Sequence, residues 1–340
     1  MKKKLLAIVA LAAMFIPLSA FAADKNDSKN VPVVKKLDPQ DVVAQHLQDI
    51  SVTIVSKSSH GHGSGEGSGV IMTRKNEINE NVNYVWTAAH VVSNLRHEKS
   101  VVDGKSGGNK TVVEFDDALV VKAINEDGRM VGKIEFFAEV VRYSAEEDFA
   151  LLRLRKKDLV KSTVVFYLES NAGKPVIPPI RTKLLHVGSL LGQLGSNSMT
   201  EGIMSQHGRL VDKKVFDQTT VTAFPGSSGG GVYLEDGRLV GLVLRGAGET
   251  FNLIGPVRRM HDWSKRANVE WAIDAKVKMP NEEELRKLPV EDNGVTFSYS
   301  TRSSDGAKPN LVIFGDGQFY FGDEETELRF PTYFLWSNKK

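Results

Sequence analysis

The chain has 340 residues, no cysteine and a formal net charge of +2 at pH 7. Its first 22 residues contain Lys2, Lys3 and Lys4 and no acidic residue, so the remainder carries a net charge of −1. A nearly neutral body argues against nucleic-acid binding as the main function. Without disulfides, the fold depends on burial of an apolar core, and a chain of this length can bury a sufficient one.

Residues 1–22 have the pattern of a secretory signal peptide. The three lysines precede fourteen apolar residues, LLAIVALAAMFIPL, and small residues follow at Ala20 and Ala22. A membrane-spanning helix requires about 20 residues, so this run is short for one. We expect cleavage near Ala22 and export to the periplasm or the medium, with a retained N-terminal anchor as the alternative.

The next stretch predicts a flexible arm and then a helix. Residues 23–37 begin with ADKNDSKN, a polar composition typical of disorder. In the segment LDPQDVVAQHLQDI, Asp38 can cap a helix and Pro39 suits its first turn. The apolar stripe expected on this helix consists of Val42, Val43, Leu47 and Ile50.

From about residue 50 to 260 the chain consists of short apolar runs divided by Gly, Asp and Asn, such as SVTIVS, SGVIMT, KLLHVGS, TTVTAF and RLVGLVL. Such a series predicts a mainly β fold, a sandwich or barrels. A closing helix, a charged linker over residues 271–292 and a small β-rich extension over residues 293–340 are expected to follow. In that extension, NLVIFGDGQFYFG predicts a hairpin that turns at Asp316-Gly317.

Three segments carry groups suited to nucleophilic catalysis. In YVWTAAHVV an apolar strand leads to His90, in SAEEDFALLRL Asp148 directly precedes an apolar strand, and FPGSSGGGVY places two serines among glycines. Taken singly, they indicate a structural histidine, a strand-edge acid and a flexible turn. Taken together, they supply the base, the orienting acid and the nucleophile that acyl transfer by serine requires.

The blocks TAAH, DFALL and PGSSGG resemble the three signature blocks of chymotrypsin-fold serine peptidases and occur in that family's order. The likeness is greatest to the bacterial HtrA/Deg branch, and it covers about residues 50–260. It implies a protease domain over residues 38–270 with two antiparallel β-barrels, near residues 50–158 and 175–260. The active site would lie in the cleft between the barrels.

The family motif Gly-x-Ser-Gly-Gly fits one frame only, the GSSGG that begins at Gly226. This frame makes Ser228 the nucleophile, and the resemblance assigns His90 as general base and Asp148 as the acid that orients it. Glycines on both sides allow a tight turn that directs two backbone N–H groups at one point. The expected oxyanion hole consists of the N–H groups of Gly226 and Ser228.

The chain also departs from HtrA-type enzymes. Ser227 stands where those enzymes usually have Asn, and the segment between Arg209 and Thr219 is short. The C-terminal extension is too small for a PDZ domain. The resemblance therefore does not by itself imply trimerisation or stress-activated regulation, and the oligomeric state stays open.

The side chain before the cleaved bond is expected to bind between the segment upstream of the nucleophile and the strand that follows it. The expected lining consists of Thr222, Ala223, Val243, Leu244 and Arg245. Thr222 stands where a trypsin-like enzyme would have Asp, so the sequence disfavours cleavage after Lys or Arg and favours a loose preference for small or medium apolar residues. Strand alternation puts Val243 and Arg245 on one face, so an acidic preference set by Arg245 is the alternative.

The sequence thus predicts an exported serine endopeptidase that acts on polypeptides without a cofactor or a metal. His60 and His62 offer two imidazoles, but the chain has neither HExxH nor a Cys/His cluster, so a barrel loop is favoured there. The alternatives are a non-catalytic peptide-binding or chaperone-like protein on the same fold, an esterase with the same triad, and an interaction protein whose C-terminal β segment is the working part.

Overall fold

The structure is a computed structural model that describes residues 38–102, 108–126, 128–246 and 250–291, and the backbone of three short strands further along the chain. The predicted signal peptide, the predicted arm and the predicted Asp316-Gly317 turn lie outside the described residues. In the described ranges, no helix has both the length and the apolar character needed to cross a membrane.

The first part of the described chain is a helix followed by a closed barrel. Asp38 caps the helix by accepting the N–H of Gln40 at 2.9 Å, as predicted. Of the predicted apolar stripe, Leu47 and Ile50 are fully buried, whereas Val42 is 51 % exposed. The elements are α1 (Pro39–Asp49), β1 (Ser51–Lys57), β2 (Ser64–Lys75), β3 (Asn81–Thr87), α2 (Ala89–Val92), β4 (Arg96–Val102), β5 (Asn109–Phe115), β6 (Ala118–Glu126), β7 (Arg129–Ser144) and β8 (Phe149–Leu154).

Six of these strands close the barrel in the order β1-β2-β3-β8-β7-β6. Each neighbouring pair is antiparallel, and β4 and β5 form a separate hairpin. A 3-10 helix, Ser93–Leu95, connects α2 to β4. The barrel therefore brings the end of β3 next to the start of β8, because these two strands pair.

The second part of the chain forms another closed ring of strands, the second barrel. Its elements are β9 (Val165–Phe166), β10 (Ser170–Asn171), β11 (Lys174–Pro175), β12 (Lys183–Leu190), β13 (Gly195–Val211), β14 (Lys214–Thr219), β15 (Gly231–Leu234), β16 (Arg238–Gly246) and β17 (Asn252–Pro256). Since β15 pairs with both β12 and β16, the ring runs β15-β12-β13-β14-β17-β16 and closes, and β9 adds to β16 in parallel. The predicted mainly β class is confirmed.

The expected strand over TTVTAF is wrong beyond its first residue. β14 ends at Thr219, and the residues that follow approach the turn containing the paired serines. Thr220 N–H donates to Ile203 O at 3.0 Å as a single bond, with no ladder continuing from it. An alternating apolar pattern can therefore mark a connection between strands, as it does here from Thr220 onward.

The described chain ends with helices and a small meander. α3 (Val257–Arg266) is the predicted closing helix, a 3-10 helix follows at Glu270–Ala272, and α4 (Glu282–Lys287) lies in the predicted charged linker. In the C-terminal extension, β18 (Leu311–Ile313) pairs antiparallel with β19 (Phe319–Phe321), and β19 pairs with β20 (Leu328–Phe330). The strands of the predicted hairpin are therefore present.

One apolar cluster contains residues from both barrels and from α3. The Trp86 and Trp263 rings meet edge to face at a centroid distance of 5.7 Å, and Phe149 lies 5.9 Å from Trp263. Trp86 Nε1–H donates to Ala272 O at 3.0 Å, so its polar atom is satisfied. Each large apolar side chain buried in this way stabilises the fold by roughly 1.5–3 kcal/mol. This packing fixes the end of β3 and the start of β8, the strands that lead to the predicted base and acid.

Candidate active site

The predicted base, His90, follows a strand that is fixed in the core. β3 is buried along most of its length, and the one-turn helix α2 comes directly after it. In α2, the side chains of Ala89, Val91 and Val92 are buried, whereas that of His90 is 47 % exposed. The short helix therefore anchors itself by its apolar side chains and presents one imidazole at the surface.

The predicted orienting acid, Asp148, lies in the turn between β7 and β8. Its φ is +55°, in the left-handed region that non-glycine residues rarely adopt. Asp148 Oδ1 accepts the backbone N–H of His90 at 3.0 Å, and both carboxylate oxygens lie 3.0 Å from His90 Nδ1. A carboxylate in this position favours a proton on Nδ1 and leaves Nε2 free to accept another.

The two adjacent serines have different environments. Ser227 is fully buried, its Oγ accepts the N–H of Phe224 at 3.1 Å, and its own N–H donates to Phe224 O at 2.9 Å. Ser228 is only partly buried. The Ser227 hydroxyl therefore holds the turn in shape, and the Ser228 hydroxyl is the more accessible of the two.

Ser228 lies beside the segment that carries the predicted base. A Cβ on Gly229 would overlap Thr87 and come within 2.8 Å of Ala88 N, so the turn touches the residues just before α2. The described hydrogen bonds of the His90 ring go to Asp148, and none reaches Ser228. The structure thus joins two of the three predicted residues directly and brings the third next to them.

Two backbone N–H groups of the serine turn have no acceptor among the described residues. The N–H groups of Ser227, Gly229 and Gly230 all donate to backbone carbonyls. Those of Gly226 and Ser228 donate to none, although most buried backbone donors in proteins are paired. These are the two groups predicted to form the oxyanion hole, and they are available to bind an oxygen atom from outside the chain.

Glycine at position 226 is required by both the backbone and the space around it. Its φ is +97°, and a Cβ there would overlap Ser189 O and Gly192 N. An L side chain would be strained at this φ and would have no room. The direction of the Gly226 N–H group therefore depends on this glycine.

Ser68 of β2 is a residue that the sequence analysis missed. Its N–H donates to Ser228 O, its Oγ donates to Gly226 O, and its Oγ accepts the N–H of Ser189, each at 2.7 Å. A strand of the first barrel thus holds the serine turn of the second. The small residues at the start of the SGVIMT run, which begins at Ser68, were the available signal.

The predicted specificity residues do not all lie together. Ala223 packs against the apolar cluster that contains Val243, and Thr222 O accepts the hydroxyl of Thr200 at 2.9 Å. Leu244 belongs to the other apolar cluster. Ala223 and Val243 therefore remain candidates for the lining of the specificity pocket, and Leu244 contributes to the core.

The expected alternation between Val243 and Arg245 is wrong. The register of β16 against β17 shifts between these two residues, which is the mark of a β-bulge. Arg245 Nη1 pairs with Asp212 Oδ2 at 2.6 Å, and the guanidinium lies over the Phe216 ring at 5.3 Å. Its charge is therefore already paired with a carboxylate of this chain.

Asn252, which was also missed in the sequence, lies between the two segments predicted to line the specificity pocket, the one before the serine turn and β16. Its Nδ2 donates to Val221 O at 2.7 Å, directly before Thr222. A Cβ on Gly246, directly after Arg245, would come within 2.5 Å of Asn252 Oδ1. The side chain is nearly completely buried, so it occupies space between the segment before the serine turn and the strand after it.

A buried arginine of α3 contacts the residues on both sides of Asp148. Arg259 Nη2 donates to Glu147 O at 2.6 Å, and Nη1 donates to Val215 O of β14 at 2.8 Å. Its guanidinium also lies 4.8 Å from the Phe149 ring centroid. One cation of the closing helix therefore fixes the turn of the first barrel against a strand of the second.

His186 lies beneath the serine turn. A Cβ on Gly230 would come within 2.7 Å of its Cε1, and its Nδ1 donates to Gly231 O at 2.9 Å. Complete burial lowers the pKa of His186 to about 4. The imidazole under the turn is therefore neutral at pH 7, and it serves as packing with one hydrogen bond.

The family model of the trypsin-like peptidase domain matches residues 67–242, just over half of the chain. The solved structure entitled "Crystal structure of Deg5" is similar, with a TM-score of 0.47 and 15 % identity over 69 % of this chain and 96 % of that chain. No curated protein matches.

Proposed function

This chain belongs to the family of trypsin-like peptidases, and from that premise we propose that it is a serine endopeptidase with Ser228 as nucleophile. The observation that carries the proposal is the contact of His90 Nδ1 with both Asp148 oxygens at 3.0 Å. That contact leaves Nε2 as the acceptor for the hydroxyl proton. In the free protein Nε2 is not bonded to Ser228, and the two groups come into hydrogen-bond range as the substrate binds.

The reaction then follows from the groups around the turn. Ser228 Oγ attacks the peptide carbonyl while His90 takes its proton, and the carbonyl oxygen becomes an anion bound by the N–H groups of Gly226 and Ser228. His90 returns the proton to the leaving amine, and water later hydrolyses the acyl-enzyme with the same base. Asp148 stabilises the imidazolium that forms at each step.

Arg259 is proposed as a positioning residue for Asp148. The carboxylate is held in a left-handed backbone conformation, which is unfavourable by itself and persists only where the surroundings fix it. Arg259 supplies that restraint by binding the Glu147 carbonyl and the ring of Phe149. It touches neither the substrate nor the reacting atoms.

The proposed preference is for a small apolar residue before the cleaved bond. Thr222 offers no charge for Lys or Arg, and Arg245, the cation that an acidic preference would require, is paired with Asp212. The buried Asn252 reduces the depth available between the two segments predicted to line the pocket. The pattern of residues 1–22 supports the further proposal that the enzyme is exported.

Cleavage of a peptide library by the wild type, Ser228→Ala and Asn252→Ala tests these proposals. The wild type is expected to cleave after Ala, Val and similar residues, and Ser228→Ala is expected to leave only background turnover. Asn252→Ala should allow cleavage after larger residues as well. Each additional methylene accommodated should improve the transition-state binding of the larger substrate by about 1–3 kcal/mol. Cleavage mainly after Lys or Arg would contradict the specificity, and equal turnover by Ser228→Ala would contradict the function.

A further inference from the structure

Three potential metal ligands lie together on the first barrel, apart from the triad. They are His60 in the loop between β1 and β2, His97 in β4, and Asp116 between β5 and β6. One ligand atom of each residue lies within 4.8 Å of the ligand atoms of the other two. His62, the neighbour of His60 in the sequence, is not part of this cluster, since its Nδ1 lies 3.1 Å from Arg96 O.

The cluster has the composition of a transition-metal site. The rings of His60 and His97 stack with a centroid distance of 3.9 Å and an interplanar angle of 22°. Two imidazoles and one carboxylate are a donor set that suits Zn²⁺ and leaves a coordination position for water.

Asp116 is fixed in place by the chain around it. Its backbone N–H donates to Leu95 O at 2.9 Å, and its Oδ2 accepts the N–H and the Oγ–H of Ser59 at 2.8 and 2.7 Å. The same carboxylate oxygen lies 3.5 Å from His60 Nδ1. The β1–β2 loop is therefore already folded back onto the carboxylate.

His97 has a carboxylate on its other side. Its Nε2 lies 3.7 Å from Glu114 Oε2, and its Nδ1 lies 3.3 Å from Leu95 O. Metal-binding histidines commonly direct their second ring nitrogen at a carboxylate or a backbone carbonyl, which fixes the ring and raises its basicity. Either nitrogen of His97 can therefore bind a metal while the other keeps a partner.

We propose that His60, His97 and Asp116 bind one Zn²⁺ ion. His60 is half exposed, so its ring has room to turn from the stack and direct a nitrogen at the ion. The bound ion joins the β1–β2 loop to the β4–β5 hairpin. Strand β2 continues from that loop to Ser68, which is hydrogen-bonded to the serine turn. Zinc therefore also stabilises the part of β2 that lies next to the candidate active site. The site does not depend on the proposed peptidase function.

Isothermal titration of metal-free protein with ZnCl₂ tests the proposal, in a Ser228→Ala background that prevents self-cleavage. We expect one equivalent of zinc to bind, with a dissociation constant at least ~10-fold larger in His97→Gln and in Asp116→Asn. His62→Gln, a change in the same loop outside the cluster, is expected to bind as tightly as the parent. Zinc should raise the melting temperature of the parent and of His62→Gln only.

Melting curves without zinc show whether each variant is folded, so that a loss of binding is not a loss of structure. The absence of saturable binding would overturn the proposal, as would equal weakening by His62→Gln. A second cluster, formed by His261, Glu270 and Asp274, has a similar composition. Loss of binding in His261→Gln with binding retained in His97→Gln would assign zinc to that cluster and overturn the proposal.

Discussion

The two barrels contribute to the candidate site in different ways. The first supplies side chains, His90 and Asp148, that leave the ends of buried strands and contact each other at 3.0 Å. The second supplies a hydroxyl and two backbone N–H groups, whose directions depend on the path of the Gly226 turn. Substitutions of His90 and Asp148 in the first barrel therefore change the chemistry directly. In the second barrel, apart from replacement of Ser228 itself, substitutions act through the backbone.

Among substitutions that leave the Ser228 hydroxyl in place, the largest effect is expected from Asp148→Asn in the first barrel. The amide would offer a donor to His90 Nδ1 and favour the wrong tautomer, so kcat should fall about 10⁴-fold with the fold retained. Asp158→Asn is the matched control, since Asp158 also has a left-handed backbone, with φ of +54°. Steady-state kinetics on the preferred peptide check both variants, and similar losses in the two would contradict the account.

Gly226→Ala tests the second barrel. A methyl group there overlaps Ser189 O and Gly192 N, so the turn must move and the Gly226 donor is lost. The loss of one such donor lowers kcat by about 10²–10³-fold. Gly208→Ala is the control, because Gly208 has a φ of +67° but nothing within 4 Å of a Cβ. It should reduce stability and leave kcat unchanged, whereas an equal fall in kcat would show that backbone strain alone is responsible.

Arg259→Lys tests the connection between the barrels. Lysine keeps the charge but not the planar fork that binds the carbonyls of Glu147 and Val215 at once. Because a small displacement of a catalytic group is costly, kcat should fall on the order of 10²-fold with KM little changed. The neighbouring Arg258 pairs with Asp217 at 2.6 Å, so Arg258→Lys serves as the control.

A positioning role also predicts a change that simple destabilisation would not produce. If Asp148 is displaced, the NMR signal of the hydrogen-bonded proton between Asp148 and His90 should become weaker. The pH dependence of kcat/KM should change as well, and both changes should occur in Arg259→Lys only. Equal changes in the Arg258 and Arg259 variants would reduce Arg259 to a structural residue.

The smallest effect on kcat is expected at His186, which should influence only the pH dependence of stability. Burial lowers the pKa of His186 from 6.5 to about 4. Between pH 6.5 and about pH 4 the imidazole is therefore protonated in the unfolded chain and neutral in the folded one. The free energy of unfolding should therefore fall by about 3 kcal/mol as the pH decreases through this window. Urea denaturation at about pH 7 and about pH 4.5 checks this. Gln cannot titrate, so the same fall in His186→Gln would assign it to other groups.

The sequence predicted what short segments encode. The blocks around His90, Asp148 and Ser228 each contain their own strand or turn signals, and the structure joins the first two directly; their catalytic roles remain predictions. Many short strands likewise predicted the β class. A local pattern was sufficient wherever the structure depends on neighbours along the chain.

Contacts between distant segments could not be predicted in this way. Ser68 contacts the serine turn from 158 residues away, and Arg259 contacts Glu147 from 112 residues away. The bulge that separates Arg245 from Val243 arises from the pairing of β16 with β17, so the alternation of β16 alone gave the wrong face. Asn252 was missed for the same reason, since its position depends on two other segments.

The most direct test of the central claim is the site of reaction with a fluorophosphonate, which labels only an activated serine. The account predicts one labelled residue, Ser228, with labelling lost in Ser228→Ala, strongly slowed in Asp148→Asn and retained in Ser227→Ala. Peptide mapping of the labelled protein identifies the residue. Labelling at Ser227, or no labelling of the folded wild type, would contradict the account.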